Sequence, residues 1–270
     1  MIRSLLTKTQ EGFFYYKMIA DSKERFSNKV RDYIRYRPHY PAELFLFLEK
    51  EGILHKEFTV ADIGSGTGIS CAPFLEYGCK VSGIEPNESM RKAAEEQFKS
   101  EGKFISLNAT AEKTELEDKS VDIIFAGQAF HWFDVPACAT EFRRILKPGG
   151  YVCLCWNDRK YGIPVLEAYE AMLQKFATDY NEVNHRNVGD SKFDILFGKG
   201  NHRFRSFDNF QIFDKEGLGG RLLSSSYIPK PDQPAFKLMM DELDAIFDKY
   251  QSNGKLKFEY DTKLHYGTLS

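Results

Sequence analysis

The sequence has no long unbroken apolar run, no internal repeat, no low-complexity tract and no surplus of one charge sign. Each absence removes a class of function. With 37 Lys and Arg against 39 Asp and Glu, the formal net charge is -2, so no general attraction to nucleic acid or to an anionic membrane is expected. No segment is apolar over the length a bilayer crossing needs, and MIRSLLTKTQEGFFYYK lacks the continuous apolar stretch of a signal peptide. The expectation is a soluble, cytoplasmic chain, monomer or homodimer, whose partner is a small molecule, not nucleic acid or a membrane. The five cysteines, Cys71, Cys79, Cys138, Cys153 and Cys155, form no CxxC pair and are odd in number. They suit buried, reduced thiols better than a disulfide framework. His39, His55, His185, His202 and His265 are scattered, so no metal site is expected.

What is present is a core-forming composition, 42% hydrophobic and 14% aromatic, and an alternation of strand and helix patterns from Glu57 to Trp156. That alternation predicts a parallel sheet with helices on both faces. Strands are expected at FTVADIG, at Cys79–Pro86, Gly102–Thr110 and Val121–Gly127, and at YVCLCWN. Asn87 reads as the N-cap of a helix through Phe98, and a helix over Ala137–Leu146 is stopped by Lys147-Pro148-Gly149-Gly150. Around this core at 57–157 lie an N-terminal cover (1–56) and an insertion (159–203) with a helix over Pro164–Tyr180 and a polar irregular stretch. The tail (204–270) offers a strand over Phe204–Phe213, a helix over Pro234–Tyr250 and a strand over Lys255–Thr262. The whole is read as a single domain with a cover over the open edge.

In VADIGSGTGIS an apolar strand runs into three glycines, which lets the backbone turn tightly and approach a ligand. A dinucleotide fingerprint places its glycines first, third and sixth beside a pyrophosphate. Here Gly64 and Gly66 fit, but the sixth position is Ile69 and the last glycine is Gly68. Glu85 ends the second strand 23 positions after Asp62, where a carboxylate can accept bonds from two ribose hydroxyls. A ribose without a pyrophosphate fits better than a nicotinamide dinucleotide.

The segments VADIGSGTG, VSGIEPNESM, NATAEKTELEDKSVDIIFAGQAFHW and EFRRILKPGGYVCLCWN, in that order, resemble the class I S-adenosylmethionine-dependent methyltransferases. The flanks RFSNKVRDYIRYRPHYP, GRLLSSSYIP and NGKLKFEYDT resemble the methyltransferase type 11, trans-aconitate methyltransferase-like subgroup. The resemblance implies an α/β fold: a Rossmann-like, doubly wound, mostly parallel seven-stranded sheet with an antiparallel C-terminal strand and a helical cover. It implies S-adenosylmethionine as methyl donor and S-adenosylhomocysteine as product. Asp62, Gly64, Ser65 and Gly66 would line its methionine part, Glu85 its ribose, and Pro86, Asn87 and Met90 its adenine. Thr110, Ala111 and Glu112 would complete the adenine side, with Thr110 standing where the family often has Asp. Gly127 and Gln128 would sit by the sulfonium and amino group.

Methyl transfer from a sulfonium needs alignment and water exclusion more than a covalent nucleophile, so the absence of a catalytic triad excludes nothing. His131, in GQAFHWFD at the carboxyl edge of the sheet, is the candidate base or acid-group anchor. Phe130 and Trp132 are expected in the core or the pocket wall. Tyr33 and Arg37 are placed to close over the cofactor, Arg37 with a fork that can clamp a carboxylate. Arg221 is a weaker candidate. The function expected is methyl transfer to a small carboxylic acid or hydroxyl compound. The alternatives are a nonenzymatic S-adenosylmethionine-binding regulator and, third, a nicotinamide oxidoreductase.

Overall fold

Strand β1 (Thr59–Ile63) is the hub of a seven-stranded sheet of order β3-β2-β1-β4-β5-β7-β6. In this computed structural model the described residues are 33–178, 180, 189–225 and 227–269. Residues 1–32 of the cover expected over 1–56, and His185, lie outside them. Strands β2 (Lys80–Ile84), β3 (Phe104–Leu107), β4 (Val121–Gly127) and β5 (Leu146–Arg159) run parallel to β1. β7 (Leu256–Gly267) is antiparallel to both β5 and β6 (Arg203–Phe213). The strand order reverses between β1 and β4, and the crevice outside the carboxyl ends at such a switch is where ligands of open α/β sheets bind.

Helices α1 (Ala42–Lys50), α2 (Cys71–Tyr77), α3 (Glu88–Gln97) and α4 (Val135–Ile145) flank this half of the sheet. Local chemistry sets their ends. Asn87 Oδ1 accepts from the amides of Ser89 and Met90 at 3.1 Å, starting α3 as expected. Asp134 Oδ1 accepts from Ala137 N at 3.2 Å, so α4 begins two residues before its expected start. The two faces of the sheet bury separate cores. Phe130, Phe142, Trp156 and Ile124 form one, and Phe74, Phe125, Leu48 and Cys153 the other. β4 is therefore apolar on both sides, as a central parallel strand must be. All five cysteines are buried and free. No helix among the described residues is long and apolar enough to cross a membrane.

Three expectations need correction. The helix expected over Pro164–Tyr180 is α5 (Pro164–Phe176), because Ala177 leaves helical geometry with ψ 145. The stretch read as polar and irregular contains α6 (Asp190–Phe197), which buries Phe193, Leu196 and Phe197; its short apolar period is masked by neighbouring charges. β5 and β7 are longer than expected. β5 absorbs Lys147-Pro148-Gly149-Gly150 through a register shift against β4, pairing Val121 with Leu146 but Ile123 with Tyr151. α8 (Pro234–Tyr250) and β4 have the bounds expected. Helix α7 (Lys215–Leu223) carries three glycines, which hide it from propensity. It is set by packing: a Cβ on Gly220 would fall 2.1 Å from the Tyr36 ring.

Beyond the carboxyl edge a third apolar cluster joins α5, α7 and α8 to β7 around Tyr169, Leu222, Leu243 and Phe258. Arg159, Gln211 and Tyr260 lie on the parts of β5, β6 and β7 that extend past Gly127 toward this cluster.

Candidate functional site

The glycine loop leaves β1 with Gly64, Gly66 and Gly68 all in the left-handed region, at φ 70°, 56° and 88°. Only glycine takes such angles without strain. Two of the three are also close-packed. A Cβ on Gly64 would lie 2.6 Å from Ala129 Cβ, and one on Gly68 would lie 2.4 Å from the Phe98 ring. A Cβ on Gly66 would meet nothing within 4 Å, so this glycine faces open space. Gly64 N and Ser65 N both donate to Ile84 O, at 2.8 and 3.2 Å, which ties the loop to the end of β2.

Glu85 completes that tie. Its Oε2 accepts from Gly66 N at 2.9 Å and its Oε1 from Asn87 N at 2.7 Å. The carboxylate thus joins the glycine loop to the turn that carries Pro86 and the start of α3, and each oxygen keeps a further lone pair. Asp62, with no exposed surface, accepts from Ser70 Oγ at 2.6 Å and Cys71 Sγ at 3.0 Å through Oδ2, while Oδ1 has no partner. Burial lifts its carboxyl to about 6, against the lowering effect of those two bonds and with Glu85 adding to the rise. In the native state it therefore holds a proton between about pH 4 and 6 where the unfolded chain does not, so its contribution to stability falls as pH rises through that window.

On the other side of the switch, Gly127 ends β4 and Gln128 follows at φ 62°, with its amide held by Cys155 O at 2.8 Å. A glutamine in the left-handed region is an uncommon conformation, of the kind that collects at binding sites. Thr110, Ala111 and Glu112 follow β3. Ala111 is buried and Thr110 exposed, while Glu112 Oε1 accepts from Asp134 N at 3.1 Å and fastens this loop to the start of α4.

The family model for a methyltransferase domain matches residues 61–154, which run from β1 into β5. Residues 61–154 form a methyltransferase domain. An uncharacterized methyltransferase of Schizosaccharomyces pombe is 24% identical over 239 residues, 86% of this chain and 92% of that protein. An uncharacterized methyltransferase of Mycobacterium tuberculosis is 33% identical over 139 residues, 52% of this chain and 54% of that one. The fold is shared with a solved type II methyltransferase, described as putative, from Anaeromyxobacter dehalogenans: TM-score 0.64, 19% identity, covering 86% of this chain and 97% of that one.

In this methyltransferase the sequence-derived candidates separate into two groups. Asp62, Gly64, Ser65, Gly66, Glu85, Pro86, Asn87 and Met90 are assembled around the carboxyl ends of β1 and β2, beside Gly127 at the end of β4 and Gln128 after it. Tyr33 and Arg37 lie instead on the segment that crosses the carboxyl edge toward the third cluster. Asn157 Nδ2 donates to Pro38 O and His39 O at 3.3 and 3.4 Å, and Asn209 Nδ2 donates to His39 O at 2.7 Å. Those bonds pin the crossing segment to β5 and β6. Its inner end carries a residue that sequence reasoning missed. Tyr40 packs edge-on to Phe125 at 5.6 Å, and its hydroxyl lies 2.2 Å from where a Cβ on Gly127 would stand. In RYRPHYP the residue singled out was Arg37, whereas the tyrosine after Pro-His meets the site. Arg159 was missed too, because the strand was read as ending at Asn157.

His131 lies on the 3-10 turn Phe130–Trp132, one residue after the buried Phe130. Trp132 is not core: it is 65% exposed. Successive side chains of a three-residue turn point about a third of a circle apart, so only one of Phe130, His131 and Trp132 can enter the core.

Proposed function

We propose that this methyltransferase binds S-adenosylmethionine in the crevice between the glycine loop and β4 and passes its methyl group to a small carboxylic acid or hydroxyl compound. The observation that carries the cofactor reading is the pairing of an open Gly66 with a buried Asp62 oxygen that lacks a partner. Both fit the donor. Gly66 leaves room for close backbone approach, and Asp62 Oδ1 is an acceptor suited to an ammonium. Glu85 supports the ribose reading through its remaining lone pairs, and Asn87 and Met90 stand beside it for the adenine. When bound, the donor supplies a methyl carbon activated by a positively charged sulfur. The chain's own part is positional. Gly127, lacking a side chain, and Tyr40, packed against it, leave a narrow approach to the reacting centre and exclude water from it. His131 is the candidate to take a proton from a hydroxyl acceptor; a carboxylate acceptor arrives without one.

Calorimetry tests this reading. S-Adenosylhomocysteine is expected to bind and NAD not to. Because a cation beside Asp62 favours its charged form, binding should release a proton below about pH 6. Affinity should then fall by up to about tenfold per pH unit as pH drops from 6 to 5. In Asp62→Asn the profile over that range should be flat. A wild-type affinity constant from pH 7.5 to 5 would move the ammonium away from Asp62, and binding of NAD in preference to S-adenosylhomocysteine would overturn the assignment.

A further inference from the structure

β6 closes the sheet on the side away from β3, and no described strand pairs with its outer edge. It is long and regular for an edge. Its 11 residues keep one continuous register with β7, from Arg203 opposite Tyr266 to Phe213 opposite Leu256, and RFRSFDNFQIF contains no proline, glycine or lysine. Bulges, prolines and lysines are the devices that ordinarily blunt an exposed edge against pairing. The direction of its backbone groups follows from β7. Lys160 N donates to Glu259 O at 3.1 Å, so Glu259 turns its backbone toward β5. Alternation then turns the backbone of Phe210, which stands opposite Glu259, outward, and with it that of Phe204, Ser206, Asp208 and Ile212. Phe210 N is held by Asn209 Oδ1 at 2.8 Å, a bond that a neighbouring strand would displace.

The two faces of β6 are unequal. Phe207 packs on Phe47, while Asn209 Nδ2 donates to His39 O at 2.7 Å and Gln211 Nε2 to Tyr36 O at 3.2 Å, so that face is engaged within the chain. The other face is open. Phe204, Phe210 and Ile212 lie along it, 53%, 51% and 53% exposed, a concentration of apolar surface on one edge that marks an interaction site. The strand also reads alike from both ends about Phe207. Ser206 mirrors Asp208, Arg205 mirrors Asn209, Phe204 mirrors Phe210 and Arg203 mirrors Gln211. An antiparallel pair related by a two-fold axis sets each residue against its own mirror, so this symmetry suits a second copy of the chain and is not needed for an unrelated strand. With the axis normal to the sheet each face stays on its own side, and the centre falls on a residue. A centre at Asp208 would oppose two carboxylates, and one at Ser206 would set Phe204 against Asp208.

We propose that the outer edge of β6 is the interface of a homodimer, in which two copies pair antiparallel about Phe207 and join their sheets into one. Phe204 of each copy faces Phe210 of the other, and Ser206 of each donates its hydroxyl to Asp208 of the other. The backbone groups turned outward on one copy meet those turned outward on the other, which closes the ladder. Both Asp208 carboxylates meet diagonally across the axis. Lys160 of the same copy already bonds each of them, which offsets their repulsion. The interface stands apart from the crevice beside β4, with β5 and β7 between, so it does not rest on the methyl-donor reading.

The test uses the full-length protein at micromolar concentration, with mass read by light scattering and association by sedimentation. Wild type should have twice the mass of one chain. Phe204→Lys and Phe210→Lys should each raise the dimer dissociation constant about ten- to a hundredfold, since either one removes both ring pairs of the dimer. The double variant should be a monomer with a native circular dichroism spectrum. Register is read by crosslinking. The five native cysteines are buried, so in a mixture of Ser206→Cys chains with Asp208→Cys chains the introduced thiols are the accessible ones. Opposed residues of a hydrogen-bonded pair lie about 5.5 Å apart, within reach of a disulfide, whereas the two copies of either residue lie diagonally at about 7–8 Å. Mild oxidation should therefore give more mixed than self-linked dimers, a result that also decides the matter if the lysine variants fail to fold. Three results would overturn the proposal. A wild-type monomer would leave the edge to another occupant, a dimer that survives both lysine substitutions would put the interface elsewhere, and preferential self-linking of Asp208→Cys would move the axis off Phe207.

Discussion

Glu85→Ala is expected to weaken S-adenosylhomocysteine binding by ten- to a hundredfold or more, read by calorimetry in a protein that remains folded. Two effects add. The ribose loses charge-assisted acceptors, each worth about 1.5–3 kcal/mol, and the glycine loop loses its anchor, because the same carboxylate receives the amides of Gly66 and Asn87. The two separate experimentally. Loss of the anchor alone should appear as a stability change of about 1–3 kcal/mol, whereas loss of ribose contacts appears only when ligand is present. Glu85→Gln keeps the side chain's shape and one acceptor oxygen, so it should recover part of the stability and little of the affinity. An affinity for Glu85→Ala within a factor of two of wild type would put the ribose elsewhere.

Gly64→Ala should be strongly damaging to the loop, because the Cβ it would meet belongs to an alanine that has no side chain to swing aside. The φ of 70° costs an alanine roughly 1–2 kcal/mol, and the added Cβ would lie 2.6 Å from Ala129 Cβ, an overpacking cost of about 1–3 kcal/mol. Together they reach about 2–5 kcal/mol, a large share of the roughly 5–15 kcal/mol that holds a domain together. Gly66→Ala is the control. It carries the dihedral cost at φ 56° but no collision, so it should unfold only slightly earlier in urea while losing cofactor affinity, its Cβ entering the space proposed for the ligand. Equal urea midpoints for Gly64→Ala and wild type would contradict the close packing of the loop on the turn after β4.

The parts legible in the sequence were those in which one local rule acts alone. Apolar runs bounded by glycine and proline gave β1, β2 and β4. Asn87 at its cap position gave the start of α3, and Gly64 and Gly66 gave the tight turn. The rest depended on tertiary partners. α7 forms despite its glycines because Tyr36 needs the space at Gly220. β5 reaches Arg159 because β7 pairs with it all the way, Arg159 opposite Tyr260. Arg37 read as a residue closing over the cofactor, and only the fold brings it to Arg221, 184 positions on, with Ser224 receiving its hydrogen bond. Glu112 read as an adenine-side residue, and only the fold shows that one of its oxygens also accepts from the amide of Asp134.

A crystal structure of the protein with S-adenosylhomocysteine tests the central claim most directly. The ligand's ribose hydroxyls should lie within about 2.5–3.0 Å of the Glu85 carboxylate, its amino group should face Asp62 Oδ1, and its sulfur should point past Gly127 toward Tyr40. A ligand seated elsewhere, or one lying in the crevice with its ribose turned away from Glu85, would contradict the account.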